Sequence, residues 1–340
     1  MLILARPDIL KAVNWNEAVE VVGQAFAALA GGRARVPLRT HFSLEEEAGL
    51  LLLMPGAIQA PPVSTTATAE GDQLAVKLVS IFNRNPARGL PLIYGLVTLF
   101  EADTGRPLAL LEGATLTAVR TGAAGGVAAK YLAVPRPARL ALFGTGAQAE
   151  TQLKATLAVF ESSIEEIRVV GRDVSKAEAF ARRMAAETGR PVRVASNPAE
   201  ALAGAELVVT ATTSYTPLFE DAMLAPGAHI NGIGSYQATM REVPGETVVR
   251  SRLVVDQREA ALSEAGDIAI PLQEGLISAS HIYAELGEIV SGAQPGRAGF
   301  KPGEISFFKS VGNAAQDVAM AAQIYRKARL LGLGTEVEMF

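Results

Sequence analysis

The stretch RLALFGTGAQA, residues 139–149, decides the fold. Its apolar strand, residues 140–143, runs into a turn with two glycines and then into a helix-forming run. This order of elements brings a dinucleotide pyrophosphate against backbone N–H groups. Gly144 permits the turn, Gly146 lets the phosphates approach, and Ala149 lets the helix pack close to the strand. The flanking strand and helix favour nucleotide binding over an ordinary Gly-rich turn. The predicted contacts are Gly144, Thr145, Gly146, Ala147 and Gln148.

Length and composition limit the class of protein. A chain of 340 residues suits two domains, and 49% hydrophobic against 19% charged residues favours a large packed core over disorder. The net charge is −4 and no basic run stands out, which argues against a nucleic-acid partner. The sequence has no cysteine, which excludes disulfides, thiolate metal sites and cysteine nucleophiles.

Neither the first residues nor the apolar stretches of the chain indicate a membrane protein or a secreted one. Residues 1–10 carry charges and lack the apolar core of a signal peptide. The longest apolar stretches, such as residues 92–100, are far shorter than the roughly 20 residues that cross a bilayer. We therefore expect a cytoplasmic protein without a membrane partner. No metal site is expected either, because three scattered histidines lack ligand spacing: His41, His229 and His281.

Strands and helices alternate through the second half of the chain, which predicts an α/β, Rossmann-type parallel sheet covered on both faces. The predicted strands are residues 139–143, 167–170, 192–195, 207–211, 229–233 and 252–256. Near the end, residues 305–309 predict a strand and 312–331 an amphipathic helix.

The first part of the chain predicts an α+β domain. A helix capped by Asn14 is followed by extended apolar segments and by an Ala-rich helix over residues 115–132. The prolines of residues 134–137 cannot continue that helix. We expect the last helix to return to this domain. The predicted domains are residues 1–115 with 312–340, and residues 116–311.

The second strand of the dinucleotide unit bears on the choice of cofactor. Such a strand normally ends in an acidic residue that binds the ribose hydroxyls, but this one ends in Gly171-Arg172-Asp173. Arg172 offers a planar fork to a 2′-phosphate. The sequence therefore favours NADP(H) over NAD(H), with contacts at Gly171 and Arg172. The alternative is that Arg172 is a solvated loop residue and Asp173 turns back to the ribose.

Other strand ends should line the same crevice, since ligands bind at the carboxyl edge of such sheets. Small and hydroxyl residues there let a cofactor lie close, although helix capping and turning also explain them. The predicted contacts are Thr210, Ala211, Thr212, Gly232 and Ile233.

Three cations in the first domain are candidates for substrate binding. Arg39 follows Val-Pro-Leu, Lys77 sits inside an apolar strand, and Arg120 sits on the Ala-rich helix. Burying a cation is costly unless it is paired. Together the three would form a pocket for a carboxylate, while each alone is equally explained by an internal salt bridge or a snorkelling side chain.

At this point the sequence resembles the ornithine cyclodeaminase and μ-crystallin family. The matching motifs follow the family order along nearly the whole chain: Val76-Lys77-Leu78-Val79, Asn85-Pro86, Gly89-Leu90-Pro91, Asp103-Thr104-Gly105, Leu116-Thr117-Ala118-Val119-Arg120-Thr121, Gly144-Thr145-Gly146-Ala147-Gln148 and Ser310-Val311-Gly312. The resemblance implies a homodimer whose first domain supplies the interface and binds the substrate, and a second domain that holds NAD(P). It implies that Arg39, Lys77 and Arg120 bind the substrate carboxylate and that Ser310, Val311 and Gly312 lie beside the nicotinamide.

One departure from the family pattern bears on the reaction. The cyclodeaminases carry an acidic residue after the fifth Rossmann strand, and Tyr236 falls at that position here. A neutral phenol is a poor base at neutral pH, since its reference pKa is about 10. This departure resembles the ketimine reductases of the family, which lack the acid and use NADPH.

The leading hypothesis is therefore an NAD(P)H-dependent reductase of a small cyclic imino acid, such as Δ1-pyrroline-2-carboxylate. Lys77 would be its catalytic residue, as a carboxylate ligand or as a proton donor. The alternatives are an ornithine cyclodeaminase, an alanine dehydrogenase-like enzyme, and a binding protein of the crystallin kind that retains NADPH without turnover.

Overall fold

The chain forms two compact units in a computed structural model that describes residues 1–44, 49–60 and 71–339. The first unit consists of residues 1–120 and 313–340, and the second of residues 121–312. The first unit is therefore discontinuous, because the chain returns to it after the second is complete.

The first unit begins with strands and helices that alternate irregularly. In chain order these are β1 (Leu2–Leu4), α1 (Arg6–Ala12), α2 (Trp15–Ala30), β2 (Ala34–Arg35), β3 (Thr40–Leu44), β4 (Gly49–Ile58), β5 (Gln73–Phe82), β6 (Ile93–Glu101), β7 (Pro107–Glu112) and α3 (Gly113–Leu132), whose residues after Arg120 belong to the second unit. The second unit contains β8 (Arg139–Phe143), α4 (Ala147–Val159), β9 (Glu166–Val170), α5 (Val174–Thr188), β10 (Val192–Val194), α6 (Pro198–Leu202), β11 (Leu207–Thr210), β12 (His229–Gly232), α7 (Gly245–Arg250), β13 (Arg252–Val255), α8 (Arg258–Glu264), α9 (Gly266–Gln273), β14 (Ile282–Glu285), α10 (Leu286–Val290) and β15 (Ser306–Lys309). The returning elements are α11 (Ala314–Leu331) and β16 (Thr335–Glu336).

The second unit is built on an eight-stranded sheet in the order β10-β9-β8-β11-β12-β15-β13-β14. Every neighbouring pair in this sheet is parallel. Strand β8 lies near its middle and is buried on both faces: Leu140 and Leu142 enter one hydrophobic cluster, Ala141 and Phe143 the other. This double burial explains why its sequence is a continuous apolar run.

The first unit contains a mainly antiparallel sheet in the order β16-β1-β7-β6-β5-β4-β2, with β3 paired to β4. Helix α11 packs against α2 and against β4 and β5. In the register of this sheet Lys77 lies opposite Met54 on β4 and Val97 on β6, both of which are buried. Lys77 is therefore on the buried face of the sheet.

Capping residues fix the starts of α2 and α11. Asn14 accepts a hydrogen bond from the N–H of Glu17 at the start of α2, as the sequence predicts. Asn313 accepts one from the N–H of Ala315 at the start of α11. Helix α11 ends at Gly332, whose φ of 64° is the left-handed conformation that glycine adopts without strain.

The predicted α/β class and the parallel sheet are confirmed, and the predicted strands of the second unit match the observed ones to within a residue or two. The sequence analysis did not predict β14, which adds an eighth strand at the edge of the sheet. It also left out β1, β2, β3 and β16. These strands are two to five residues long, so their apolar pattern is too brief to stand out.

Candidate active site

The turn between β8 and α4 passes very close to the end of β11. Gly144 has a φ of 109°, and a Cβ at this position would lie 2.4 Å from the carbonyl oxygen of Ala211. Its N–H donates to the carbonyl of Val170 at 2.9 Å. Only glycine fits both the conformation and the close approach.

The next glycine opens to space rather than to protein. Gly146 is the N-cap of α4, and a Cβ placed on it would meet no atom within 4 Å. The first N–H groups of a helix have no acceptor within the helix, so they are available to an anion. Ala149 is fully buried, which lets α4 lie against the sheet. The turn therefore has the shape and the donors that a dinucleotide pyrophosphate needs.

The residues that follow β9 include an exposed cation and an acid that caps the next helix. Arg172 is exposed immediately after Gly171. The carboxylate of Asp173 accepts a hydrogen bond from the N–H of Lys176 at 3.1 Å and so caps α5. The acidic residue of this turn is thus engaged by its own helix.

The residues at the ends of β11 and β12 are engaged in packing and hydrogen bonds within the protein. The side chain of Thr210 is fully buried. A Cβ on Gly232 would lie 2.5 Å from the ring of Phe307, so packing within the sheet already requires glycine there. The N–H and hydroxyl of Thr212 both donate to Glu242, at 2.6 and 2.7 Å.

The loop after β15 is held by a buried carboxylate. Asp256, 1% exposed at the end of β13, accepts hydrogen bonds through one oxygen from three donors. These are the Ser310 hydroxyl at 2.9 Å, the Val311 N–H at 2.9 Å and the Gly312 N–H at 2.6 Å. A contact of this loop with a ligand would therefore use its other atoms. The sequence analysis missed Asp256, although an acid directly after a buried strand was a usable signal.

The first unit buries two cations on one carboxylate. The ammonium group of Lys77 lies 2.6 Å from one oxygen of Asp317, and Nε of Arg120 lies 3.0 Å from the other. Nη1 of Arg120 also donates to Oε1 of Gln316 at 2.9 Å. None of these side chains is more than 6% exposed. The structure thus brings two of the predicted cations together and adds the acid that pairs them.

This triad (Lys77, Arg120 and Asp317) carries one more positive than negative charge. Burial lowers the pKa of Lys77 from 10.5 to about 8, Asp317 works against this lowering, and the positive charges of Arg120 and Arg39 add to it. Arg39, which is half-buried, is thus close enough to act on the charge of Lys77. The region is suited to receive an anion.

Asp317 had a signal in the sequence that went unused. It lies in the otherwise apolar or amide run AAQDVAMAA of α11, on a helix that packs against the sheet. A lone acid in such a run indicates a buried partner of opposite charge.

Tyr236 lies in the loop after β12 and is half-buried. Burial raises the pKa of its phenol, and Tyr215 adds to this effect. The phenol is therefore neutral at neutral pH and cannot act as a strong base there.

Within residues 1–44, 49–60 and 71–339, no cluster of three His, Asp or Glu side chains could hold a metal ion. No helix in the same ranges is long and apolar enough to cross a membrane.

The sequence matches the ornithine cyclodeaminase/mu-crystallin family over residues 1–330. The chain belongs to this family. The predicted resemblance is thereby confirmed.

Individual members of the family cover the whole chain. A Delta(1)-pyrroline-2-carboxylate reductase of Bacillus cereus is 38% identical over 340 residues, which span 99% of this chain and 100% of the relative. The Thermococcus litoralis enzyme of the same name, solved with NADH and L-proline, has a TM-score of 0.90 and 40% identity and covers 99% and 100% of the two chains. An archaeal alanine dehydrogenase dimer with bound NAD has a TM-score of 0.89 and 31% identity and covers 100% and 99%.

The buried triad makes a prediction for stability. Asp317→Asn removes the only carboxylate of the triad at constant size, which leaves two cations facing each other out of water. We expect the free energy of unfolding near neutral pH to fall by roughly 3 kcal/mol, the usual cost of breaking a buried ion pair. Urea denaturation measures it.

The matched control is Glu17→Gln on α2. It removes a partly exposed carboxylate that lies 3.2 Å from Lys327 of α11, the helix that also carries Asp317. It should cost at most about 1 kcal/mol. Equal stability of the two variants would contradict the role given to Asp317.

Proposed function

We propose that this chain is an NAD(P)H-dependent reductase that converts a small cyclic imino acid into the corresponding amino acid. Δ1-Pyrroline-2-carboxylate is the first substrate to test, since two relatives that match this chain along its whole length are named as reductases of this compound. The observation that carries the proposal is the buried pair of cations that shares one carboxylate.

The charge balance of the triad supports binding of an acid. Arg120 and Lys77 share Asp317, so the triad keeps one positive charge in excess, and the charge of Arg39 also acts on Lys77. A substrate carboxylate would neutralise this excess. The planar fork of Arg120 suits a carboxylate, and its bonds to Asp317 and Gln316 fix its orientation before substrate arrives.

Reduction of a C=N bond requires a hydride at carbon and a proton at nitrogen. The nicotinamide cofactor supplies the hydride when it is bound. Lys77 has a pKa of about 8 and so carries a proton at neutral pH that it can release more readily than an ordinary lysine. We assign Lys77 to the substrate carboxylate, to proton delivery, or to both.

The test is turnover of Δ1-pyrroline-2-carboxylate, followed by oxidation of NADPH or NADH. Wild-type kcat/KM should be level below about pH 8 and fall above it, because protonated Lys77 is needed in either role. Lys77→Met should lose about 100-fold or more of kcat/KM. Lys327→Met, which removes a surface lysine of α11, should change it by less than about 2-fold.

Lys77→Arg separates the two roles of the lysine. Arginine keeps the charge and does not titrate in this range, so a carboxylate-binding role predicts retained activity and a fall above pH 8 that disappears. Proton delivery predicts near-complete loss of kcat, because a guanidinium does not give up its proton. Absence of turnover of any cyclic imine with either dinucleotide by the wild-type protein would overturn the proposal.

NADP(H) is the proposed cofactor, and this proposal rests on the residues that follow β9. Exposed Arg172 follows Gly171 directly, while Asp173 is engaged in capping α5. A 2′-phosphate would meet a guanidinium and no opposing free strand-end acid.

Arg172→Gln should therefore lower kcat/KM for NADPH by about 10-fold and leave that for NADH within about 2-fold, since a charged hydrogen bond is worth about 1.5–3 kcal/mol. Arg182→Gln, on the exposed side of α5, is the control and should change neither value. A wild-type protein that uses NADH better than NADPH would refute this assignment.

The same assays would detect two other reactions and a binding role without turnover. Ornithine consumption with ammonia release and no net NADH would indicate a cyclodeaminase, and NAD(P)H formation from alanine an alanine dehydrogenase. The half-buried neutral phenol of Tyr236 weakens the cyclodeaminase case. Tight NADPH binding without turnover would indicate the crystallin-like role.

We also propose that the protein is a homodimer formed through the open face of its antiparallel sheet. Two rows of side chains cross this face, opposite to Lys77. They are Phe42, Leu51, Ser80 and Tyr94 in one row, and Thr40, Leu53, Leu78 and Leu96 in the other. Phe42 is 57% exposed, and Tyr94 and Leu96 are each 46% exposed. Such an apolar patch marks an interface, and an archaeal relative is itself a dimer.

Light scattering should give twice the monomer mass for the wild-type protein. Leu96→Lys should yield monomers, because a charge within the patch would lose its hydration on association. Leu330→Lys, at an 82% exposed leucine of α11, should leave the dimer intact. A dimeric Leu96→Lys variant would rule out this face.

A further inference from the structure

One buried carboxylate joins the loops that follow β11 and β12. Glu242 is fully buried. Its Oε1 accepts hydrogen bonds from the N–H and the hydroxyl of Thr212, at 2.6 and 2.7 Å. Its Oε2 accepts one from the N–H of Gly234 at 2.7 Å. A single side chain thus fixes the spacing of two neighbouring strand ends.

The backbone around Glu242 holds the same two loops. The N–H of Leu218 donates to the carbonyl of Glu242 at 2.9 Å, and the N–H of Arg241 donates to the carbonyl of Ser214 at 3.1 Å. The loop after β11 is therefore docked along residues 241–242. Tyr236 lies within the loop that Glu242 closes, between Gly234 and Glu242 itself.

The packing leaves this arrangement little freedom. A Cβ on Gly234 would lie 2.1 Å from the carbonyl oxygen of Thr212 and 2.5 Å from Oε1 of Glu242. A Cβ on Gly266 would lie 1.9 Å from the carbonyl oxygen of Met240. Both glycines allow the loops to approach to hydrogen-bonding distance.

A second buried acid and a lysine support Glu242. Oδ1 of Asp267 accepts the N–H groups of Glu242 and Val243, at 2.7 and 3.0 Å, and its Oδ2 lies 3.3 Å from Nζ of Lys309. Both Asp267 and Lys309 are fully buried. Burial and Asp267 raise the pKa of Glu242, while Lys309 lowers it.

Burying Glu242, Asp267 and Lys309 together costs desolvation free energy. Apolar residues of similar size in place of buried charges are often neutral or stabilising, so stability alone does not account for three ionisable side chains here. Their common position accounts for them: they lie at the carboxyl edge of a parallel sheet, where such sheets bind their ligands.

We propose that Glu242 is a positioning residue that pre-assembles the cofactor half of the site by clamping the loops after β11 and β12. Without the clamp, the two loops would have to be ordered by the cofactor at a cost in binding free energy. The inference rests on the proposed dinucleotide binding but not on the identity of the substrate.

The test is the Kd of NADPH, measured by its fluorescence without substrate. Glu242→Gln places an amide NH₂ against the N–H of Gly234 or against the two donors of Thr212, so one of the two loops must lose its backbone hydrogen bond. We expect Kd to rise about 10-fold or more, the effect of one buried unsatisfied group. Thr212→Val removes the hydroxyl donor of Thr212 and keeps its backbone N–H, so it should give a smaller rise in Kd. It decides the question if Glu242→Gln does not fold.

The matched control lies at the opposite edge of the same sheet. Oε2 of Glu206 accepts the N–H groups of Ala138 and Arg139, at 2.7 and 3.0 Å. Glu206→Gln should lower the unfolding midpoint and leave Kd within about 2-fold.

The outcomes separate this inference from the proposed function. Unchanged Kd in Glu242→Gln, or an equal rise in Glu206→Gln, would overturn the clamp. A wild-type protein that binds NADPH but reduces no imine would overturn the proposed reaction and leave the clamp standing. Failure of the wild-type protein to bind either NADPH or NADH would overturn both.

Discussion

The ion pairs of Asp317 with Lys77 and Arg120 hold three elements of the first unit together out of water. Two cations out of water repel each other strongly, and they remain together only because one carboxylate lies between them. Helix α11, strand β5 and helix α3 each contribute one of the three side chains, so the chain must return to the first unit for the triad to form. The discontinuity of the first unit and the chemistry of the candidate site are therefore parts of the same arrangement.

The second unit uses buried acids in a related way. Glu242 joins the loops after β11 and β12, and Asp256 joins the ends of β13 and β15. Each accepts several donors from elements that are distant in sequence, which repays part of the desolvation of its charge. Four adjacent strands of the sheet are thereby fixed at their carboxyl edge, where the glycine turn after β8 also lies. A sheet that meets a cofactor with loops already ordered loses less entropy on binding.

The sequence predicted those features whose physical cause is local. The strand, turn and helix at residues 139–149 follow from apolar periodicity and from a glycine that must adopt a positive φ. The triad was only half predicted: the cations were identified, but Asp317 lies 197 residues from Arg120, and no spacing rule connects them. Gly232 was predicted for a cofactor, whereas its lack of a Cβ makes room for Phe307 from β15. The partners of a residue in a folded sheet are set by topology, which composition and periodicity do not specify.

The most direct test of the account is a crystal structure of the protein with L-proline and the oxidised cofactor. The account predicts that the proline carboxylate lies within about 2.7–3.2 Å of both Nζ of Lys77 and the guanidinium of Arg120. A proline carboxylate bound elsewhere, with both cations still engaged only by Asp317 and Gln316, would contradict it.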